Sequence, residues 1–192
     1  MQTLVKEKNT YTFEEYLALE ETIGERYEYY NGEVIAMAGA TKSHNSIAFN
    51  MVSAFKNKFR SKGCDVYQEG IKVAIECMHT YTYPDVVVSC DEDDKKDPYF
   101  IRNPFLIVEV LSTSTETNDR SVKLHNYRKI KSLRYYLLVS QETPMIEVFS
   151  RPEGNVIFSY NLFEDFSDVL DFTDVDLQLV LKDVYEGIKF GL

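Results

Sequence analysis

Two runs of consecutive apolar residues limit what this chain can become. Val86-Val87-Val88 and Phe105-Leu106-Ile107-Val108 offer no polar face in either strand phase. Successive strand residues point to opposite sides of a sheet, so such runs predict strands covered on both faces. Each run carries one acid. Asp85 opens the first, just after Pro84, and Glu109 interrupts the second before Val110-Leu111. An ionised carboxylate in an apolar strand is costly unless it is paired or holds a cation. On neighbouring strands the two acids would form a hard-oxygen pair suited to Mg²⁺ or Mn²⁺. The plainer alternative is that each caps a turn or pairs with a nearby lysine.

The order of elements favours the neighbouring arrangement. Thr12 and Glu15 fit a capping box for a short helix to about Glu21. Asn31-Gly32 lies between aromatic and apolar residues in Arg26 to Ala38 and predicts a hairpin. Ser43 can cap a longer helix, whose Ile47, Met51, Phe55 and Phe59 form one apolar stripe. Ile71, Val73, Ile75 and Cys77 alternate with Lys72, Ala74 and Glu76 as a half-buried strand. The acidic run Asp91 to Asp97 reads as a solvated loop. A Ser/Thr-rich turn, Ser112 to Thr117, leads to a helix over Asp119 to Lys131, with Val122, Tyr127 and Ile130 facing inward. Tyr135 to Val139 is a central strand, so a crossover helix joins it to the Glu109 strand as in a parallel βαβ unit. Met145 to Phe149 and Val156 to Tyr160 continue as a meander with turn signals at Pro152 and Gly154. A final helix is predicted near Leu177 to Glu186. The expected fold is therefore a mixed α/β (α+β) domain over residues 1–192, with its core at about 43–140. A central mixed sheet is flanked by helices, with an N-terminal helix and hairpin and a C-terminal meander.

Composition excludes several classes. Hydrophobic residues are 44% and aromatics 14%, too many for a disordered chain. The apolar runs fall short of the ~20 residues that span a bilayer. Met1 to Thr10 has no apolar signal region, so a cytoplasmic protein is expected. Cys64, Cys77 and Cys90 are odd in number and contain no Cys-x-x-Cys pair, which predicts reduced, mostly buried thiols and no structural zinc. There is no glycine-rich phosphate loop and no nucleophile–base triad, so no organic cofactor is expected. The 21 Lys and Arg against 31 Asp and Glu give a net charge of −10. That opposes nucleic-acid binding by phosphate neutralisation alone. Acids gathered at a metal, with basic faces elsewhere, would reconcile the two. Lys56, Lys58, Arg60 and Lys62 form one basic cluster. Arg120, Lys123, Arg128, Lys129, Lys131 and Arg134 form another.

Other polar residues are candidates by position. Asp119, Lys123 and Tyr127 are spaced i, i+4, i+8 on one helix face. An ammonium there could orient an attacking water or stabilise phosphate charge. The alternative is a surface Asp119–Lys123 pair worth ~0.3–0.5 kcal/mol. Glu28 and Glu33 flank the hairpin turn, and either could point into the site or into solvent. His44 could position a metal, water or phosphate, or belong to the helix cap. His79 and His125 have no partner by spacing.

The segments Tyr27-Glu28-Tyr-Tyr-Asn-Gly-Glu33-Val-Ile, Ser43-His44-Asn45, Tyr83-Pro84-Asp85-Val-Val-Val, Leu106-Ile-Val-Glu109-Val-Leu-Ser112-Thr-Ser-Thr and Asp119-Arg-Ser-Val-Lys123-Leu-His-Asn-Tyr127 form an ordered series. Together they resemble the Uma-type putative restriction endonuclease family, a bacterial branch of the PD-(D/E)XK nuclease superfamily. The resemblance covers about residues 11–160. It implies a restriction-endonuclease-like core, Asp85 and Glu109 as metal-binding acids, and Mg²⁺ as the ion. The superfamily usually places a lysine two residues after the second acid, where this chain has Leu111. The resemblance implies that the lysine has moved to the next helix as Lys123.

The leading expectation is a metal-dependent DNA endonuclease. Asp85, Glu109 and the Val110 backbone carbonyl would bind the metal, and Lys123 would assist. A second expectation is a catalytically inactive nuclease-fold protein that binds protein or nucleic acid. A third is a hydrolase of another phosphoester. Cutting both strands of a duplex favours a homodimer, for which the hairpin and the meander offer strand edges.

Overall fold

Both apolar runs become interior strands because both of their faces are covered. The computed structural model describes residues 10–152 and 155–190; residues 1–9 and the Gly154 turn signal lie outside them. The first elements are α1 (Phe13–Ile23), the hairpin β1 (Tyr27–Tyr30) and β2 (Glu33–Ala36), and α2 (Lys42–Ser61). Then come β3 (Asp65–Gln68), β4 (Lys72–Ile75), β5 (Thr80–Thr82), β6 (Val86–Ser89), β7 (Phe100–Ile101) and β8 (Pro104–Leu111). A helical crossover follows: α3 (Glu116–Asn118), a π turn (Asp119–Lys123) and α4 (Leu124–Tyr127). β9 (Tyr135–Ser140), β10 (Ile146–Ser150), β11 (Ser159–Phe163), β12 (Val169–Phe172), β13 (Leu177–Val180) and α5 (Leu181–Val184) complete the order.

The main sheet runs β11-β10-β9-β8-β6-β3. β6 and β8 are antiparallel neighbours with Val86 opposite Val108, and β8 is parallel to β9 across the crossover. Alternate residues feed two cores. Val86, Val88, Leu106, Val108 and Val110 pack with Ile47, Met51, Phe55 and Phe59 of α2. Val87, Ile107, Leu111 and Leu138 pack on the other face with Val73, Ile101, Tyr127 and Leu133. Each fully buried aliphatic or aromatic side chain contributes roughly 1.5–3 kcal/mol. A second sheet, β2-β1-β5-β4-β7, holds the hairpin against β5. The Thr12–Glu15 capping box and the Asn31-Gly32 turn form as expected, with positive φ at both turn residues.

Several expectations need correction. α2 is capped by Thr41 rather than Ser43, because Thr41 Oγ1 accepts the His44 N–H at 3.1 Å. β4 stops at Ile75, and Glu76–Met78 turn as a 3₁₀ segment that leaves Cys77 exposed. Ala74 is buried along with Val73 and Ile75, so β4 is covered on both sides. The acidic loop is not wholly solvated. Asp94 is buried and accepts from Ser89 Oγ and from the Arg102 and Asn103 N–H groups. Val122 is exposed, because the π turn redirects the inward face to Asp119 and Lys123. The second meander strand lies at Ser159–Phe163, leaving Val156 and Ile157 exposed. Leu177–Val180 is a strand paired with β12, since Leu177 and Leu179 alternate; the final helix is only Leu181–Val184. Finally, Cys64 and Cys90 are joined in a disulfide. β3 and β6 pair with Asp65 opposite Ser89, which brings the flanking cysteines together. The odd count hid a pair plus one exposed thiol.

Candidate functional site

Asp85 sits where the β6–β8 ladder ends. Its Oδ2 accepts the Val110 N–H at 2.6 Å and lies 3.2 Å from His44 Nε2. Glu109, one residue earlier on β8, points to the opposite face of the strand from Val110. There its Oε1 accepts from Tyr127 Oη at 2.9 Å and Lys123 Nζ at 3.1 Å. Among the described residues, Asp85 Oδ1 and Glu109 Oε2 accept no protein hydrogen bond. Both carboxylates, with Val110, His44, Glu28 and Lys123, line one cleft of about 720 Å³.

Lys123 is the hub of the buried charge. Its Nζ lies 3.0 Å from Glu28 Oε1 and 3.1 Å from both Glu109 Oε1 and Asp119 Oδ1. Three carboxylates thus share one ammonium. Burial opposes the charged ammonium, but Glu109, Glu28 and Asp119 together hold its pKa well above the usual lysine value. Burial pushes the Glu109 carboxyl well up; Lys123 pulls it down, and Asp119, Asp85 and Glu28 push it up again. Glu28 also accepts the Tyr83 N–H at 3.3 Å and the Tyr30 hydroxyl at 2.7 Å, which ties the hairpin to the Tyr83-Pro84-Asp85 corner. Tyr127 Oη meets Thr82 Oγ1 at 2.9 Å, so a second bond chain anchors Glu109 from β5.

The first turn of α2 brings His44 to Asp85, and the positive end of the helix dipole faces the carboxylate. Burial disfavours a charged imidazole there. The hydrogen bond and charge of Asp85, with Glu69 nearby, outweigh it and raise the His44 pKa above its ordinary value.

The donor set fits a hard divalent cation on chemical grounds. Two carboxylates each keep one oxygen without a protein partner, and the surroundings hold an excess of negative charge. Continuing the register by two places sets Pro84 opposite Val110. Proline has no N–H to offer, so the Val110 carbonyl, on the same side of the strand as its N–H, gains no donor there. Among the described residues no three His, Cys, Asp or Glu side chains gather closely enough to form a full protein cage. Mg²⁺ binds through one or two carboxylates and keeps several waters, so it does not require such a cage.

Of the sequence candidates, Asp85, Glu109, Val110, Lys123, Asp119, Tyr127, Glu28 and His44 come together. Glu33 does not: it is exposed on the edge strand β2, because the hairpin pairing turns Glu28 inward instead. Of the two basic clusters Lys123 joins the site, Arg120 pairs with Glu116 and Glu147, and Arg134 and Arg60 lie away from it. The Arg134 N–H bonds Phe105 O, four residues or about 13 Å along β8 from Glu109. Arg60 is sixteen residues past His44, about 24 Å along α2.

A family profile described as "Putative restriction endonuclease" (Uma2) matches residues 13–180. The chain belongs to the Uma2 family. The uncharacterized protein slr1290 of Synechocystis sp. is 35% identical over 179 residues, covering 92% of each chain. A second uncharacterized Synechocystis protein, sll1609, is 34% identical over 142 residues, 73% of this chain and 80% of its own. A crystal structure from Anabaena variabilis, described as a putative nuclease belonging to DUF820, superposes with a TM-score of 0.75 at 18% identity. It covers 93% of this chain and 99% of its own, so the restriction-endonuclease-like fold is shared. Nucleases of this fold generally use divalent metals.

For this Uma2 chain, some residues around the cleft escaped the sequence reading. Glu69 takes a left-handed φ of 46° while its N–H bonds Asp85 O at 3.1 Å. The following Gly70 was the only available sign of a turn there. Asn118, Tyr30 and Thr82 steady Glu28 and Tyr127 through hydrogen bonds that no spacing rule reveals. Among the described residues no helix is long and apolar enough to cross a membrane.

Proposed function

We propose that the chain is a metal-dependent endonuclease that hydrolyses phosphodiester bonds in DNA. The convergence of Asp85 and Glu109 in one cleft, each with an oxygen left open, carries this reading. Asp85, Glu109 and the Val110 carbonyl would hold Mg²⁺, with Mn²⁺ as a substitute. Such an ion supplies an activated water and polarises the phosphate. Val110 N–H and His44 fix one Asp85 oxygen, so the other faces the cleft. Tyr127 and Lys123 do the same for Glu109. Lys123 pulls the Glu109 carboxyl down against the larger effect of burial and would be the ammonium nearest the developing phosphate charge. Glu28 and Asp119 set its position.

The test is cleavage of a plasmid with Mg²⁺ or Mn²⁺ by the wild type, Asp85→Ala and Glu109→Ala. Cleavage lost in both variants is expected; equal cleavage by all three overturns the reading. A pair of subunits would serve a duplex, with the end strands β2 and β11 as available edges. Light scattering at a dimer mass is expected, and a monomer at high concentration removes that part. One observation favours an inactive nuclease-fold binding protein: Leu111 fills the usual lysine position and is buried in the core. Mg²⁺ binding that survives both alanine variants would support it.

A further inference from the structure

Beside the acid cleft lies a second, shallower cavity of about 580 Å³. Phe49 stands on its wall with 61% of its surface exposed. Asn45, Gln68 and Glu186 also line it, and Glu69 belongs to the walls of both cavities. Asn45 follows His44, and Gln68 pairs with Val86 on the strand that Asp85 opens. Phe49 is five residues past His44 on α2, about 7.5 Å along the axis.

The charges restrict what could bind here. Glu69 and Glu186 offer no phosphate neutralisation, and among the described residues no Lys or Arg lines the cavity. A duplex, which exposes mainly its phosphates, gains little from such a wall. An unstacked base gains a great deal: it has a π-face for Phe49 and, in adenine, cytosine and guanine, an amino group for the amide and carboxylate acceptors. The left-handed φ of Glu69, 46°, shows backbone strain where the two cavities meet, as is common at ligand clamps.

We infer that this cavity seats an unstacked nucleobase of single-stranded DNA, next to the phosphodiester held at Asp85 and Glu109. The inference rests on the phosphodiester reading above and narrows its substrate to single-stranded or locally opened DNA. Stacking on Phe49 supplies the affinity that phosphate contacts cannot.

The experiment is fluorescence anisotropy of the full chain with a labelled single-stranded oligonucleotide and the matching duplex, at one ionic strength with Mg²⁺. Wild type, Phe49→Leu and Phe49→Tyr are compared, and melting curves check that each exposed-site variant is folded. Tighter binding of the single strand by wild type is expected. Phe49→Leu should weaken it about tenfold, Phe49→Tyr should retain it, and duplex binding should not change. Single-strand affinity unaltered in Phe49→Leu, equal losses on both DNAs, or no wild-type binding of the single strand each overturn the inference. Mn²⁺ calorimetry on the same proteins separates the two claims. Metal binding with no effect of Phe49 sinks only the base site. A Phe49 effect without metal binding at Asp85 and Glu109 supports the base site and sinks the hydrolytic reading.

Discussion

The Val110 N–H donates to Asp85 Oδ2 at 2.6 Å, so a side chain takes over where the β6–β8 ladder stops. The ladder stops because Pro84, next in register, has no N–H. That leaves the Val110 carbonyl available beside the acids. Pro84→Ala should supply the missing donor and close that carbonyl. Mn²⁺ affinity by calorimetry should fall about tenfold, with little change in melting temperature. Unchanged affinity would show that the carbonyl is not used.

Lys123→Met should be the most damaging change at the site. It leaves Glu28, Glu109 and Asp119 buried together without a cation. Breaking such a buried set costs about 3–5 kcal/mol. The pH dependence follows from the signs. The wild-type Lys123 pKa lies above 10.5, so its contribution is present below 10.5 and is lost as pH rises through the folded value. Glu109, raised above 4.5, binds more protons folded than unfolded, so stability falls as pH climbs from 4.5 towards its folded pKa. Without Lys123 that fall should steepen. Urea melts of the variant should show a larger deficit at about pH 8 than at about pH 5; the same deficit at both would contradict the cluster.

His44 should titrate above 6.5 in the metal-free protein, since Asp85 outweighs its burial. Its stabilising contribution is then present below 6.5 and lost as pH rises through the folded pKa. Imidazole NMR shifts should show that midpoint move down in Asp85→Asn. His44→Gln, which keeps a donor, should bind Mn²⁺ better than His44→Ala by about tenfold.

The Cys64–Cys90 bond encloses the segment that carries Asp85, with the two residues 26 apart in sequence. Replacing both cysteines by serine should cost about 2–4 kcal/mol in a denaturant melt. Reductant should lower wild type towards the variant and leave the variant unmoved. A melt of wild type that ignores reductant would count against the bond.

The fold was legible wherever pattern and burial coincide. The double-sided strands, the α2 stripe and the hairpin turn all follow from residue order, and the adjacency of Asp85 and Glu109 followed from them. The partners of those acids were less legible. Lys123 and Asp119 share a face by spacing, but nothing in the spacing says that the face is buried under three carboxylates. Val122 was misplaced because a π turn leaves no hydrophobic period to read. Cys64 and Cys90 flank two strands that meet only through tertiary pairing. Leu177, Val180, Leu181 and Val184 carry a helical spacing while Leu177 and Leu179 alternate, so helix and strand patterns overlap in so short a stretch. The basic residues could be counted, but only the strand and helix directions showed that Arg60 and Arg134 lie away from the acids while Lys123 lies among them.

The π turn has one more consequence. It makes i→i+5 bonds, one residue per turn more than a regular helix. Deleting a single residue between Asp119 and Lys123 would let an ordinary α-helix form, with the two at i and i+3 instead of i and i+4 and about 60° apart around the axis. The contacts of Lys123 with Glu28, Glu109 and Asp119 are set to the present length of the turn. Substitutions at exposed Ser121 and Val122 should be cheap, whereas a one-codon change of length there should cost the whole arrangement. Over these five residues spacing, more than side-chain identity, is what mutation cannot alter.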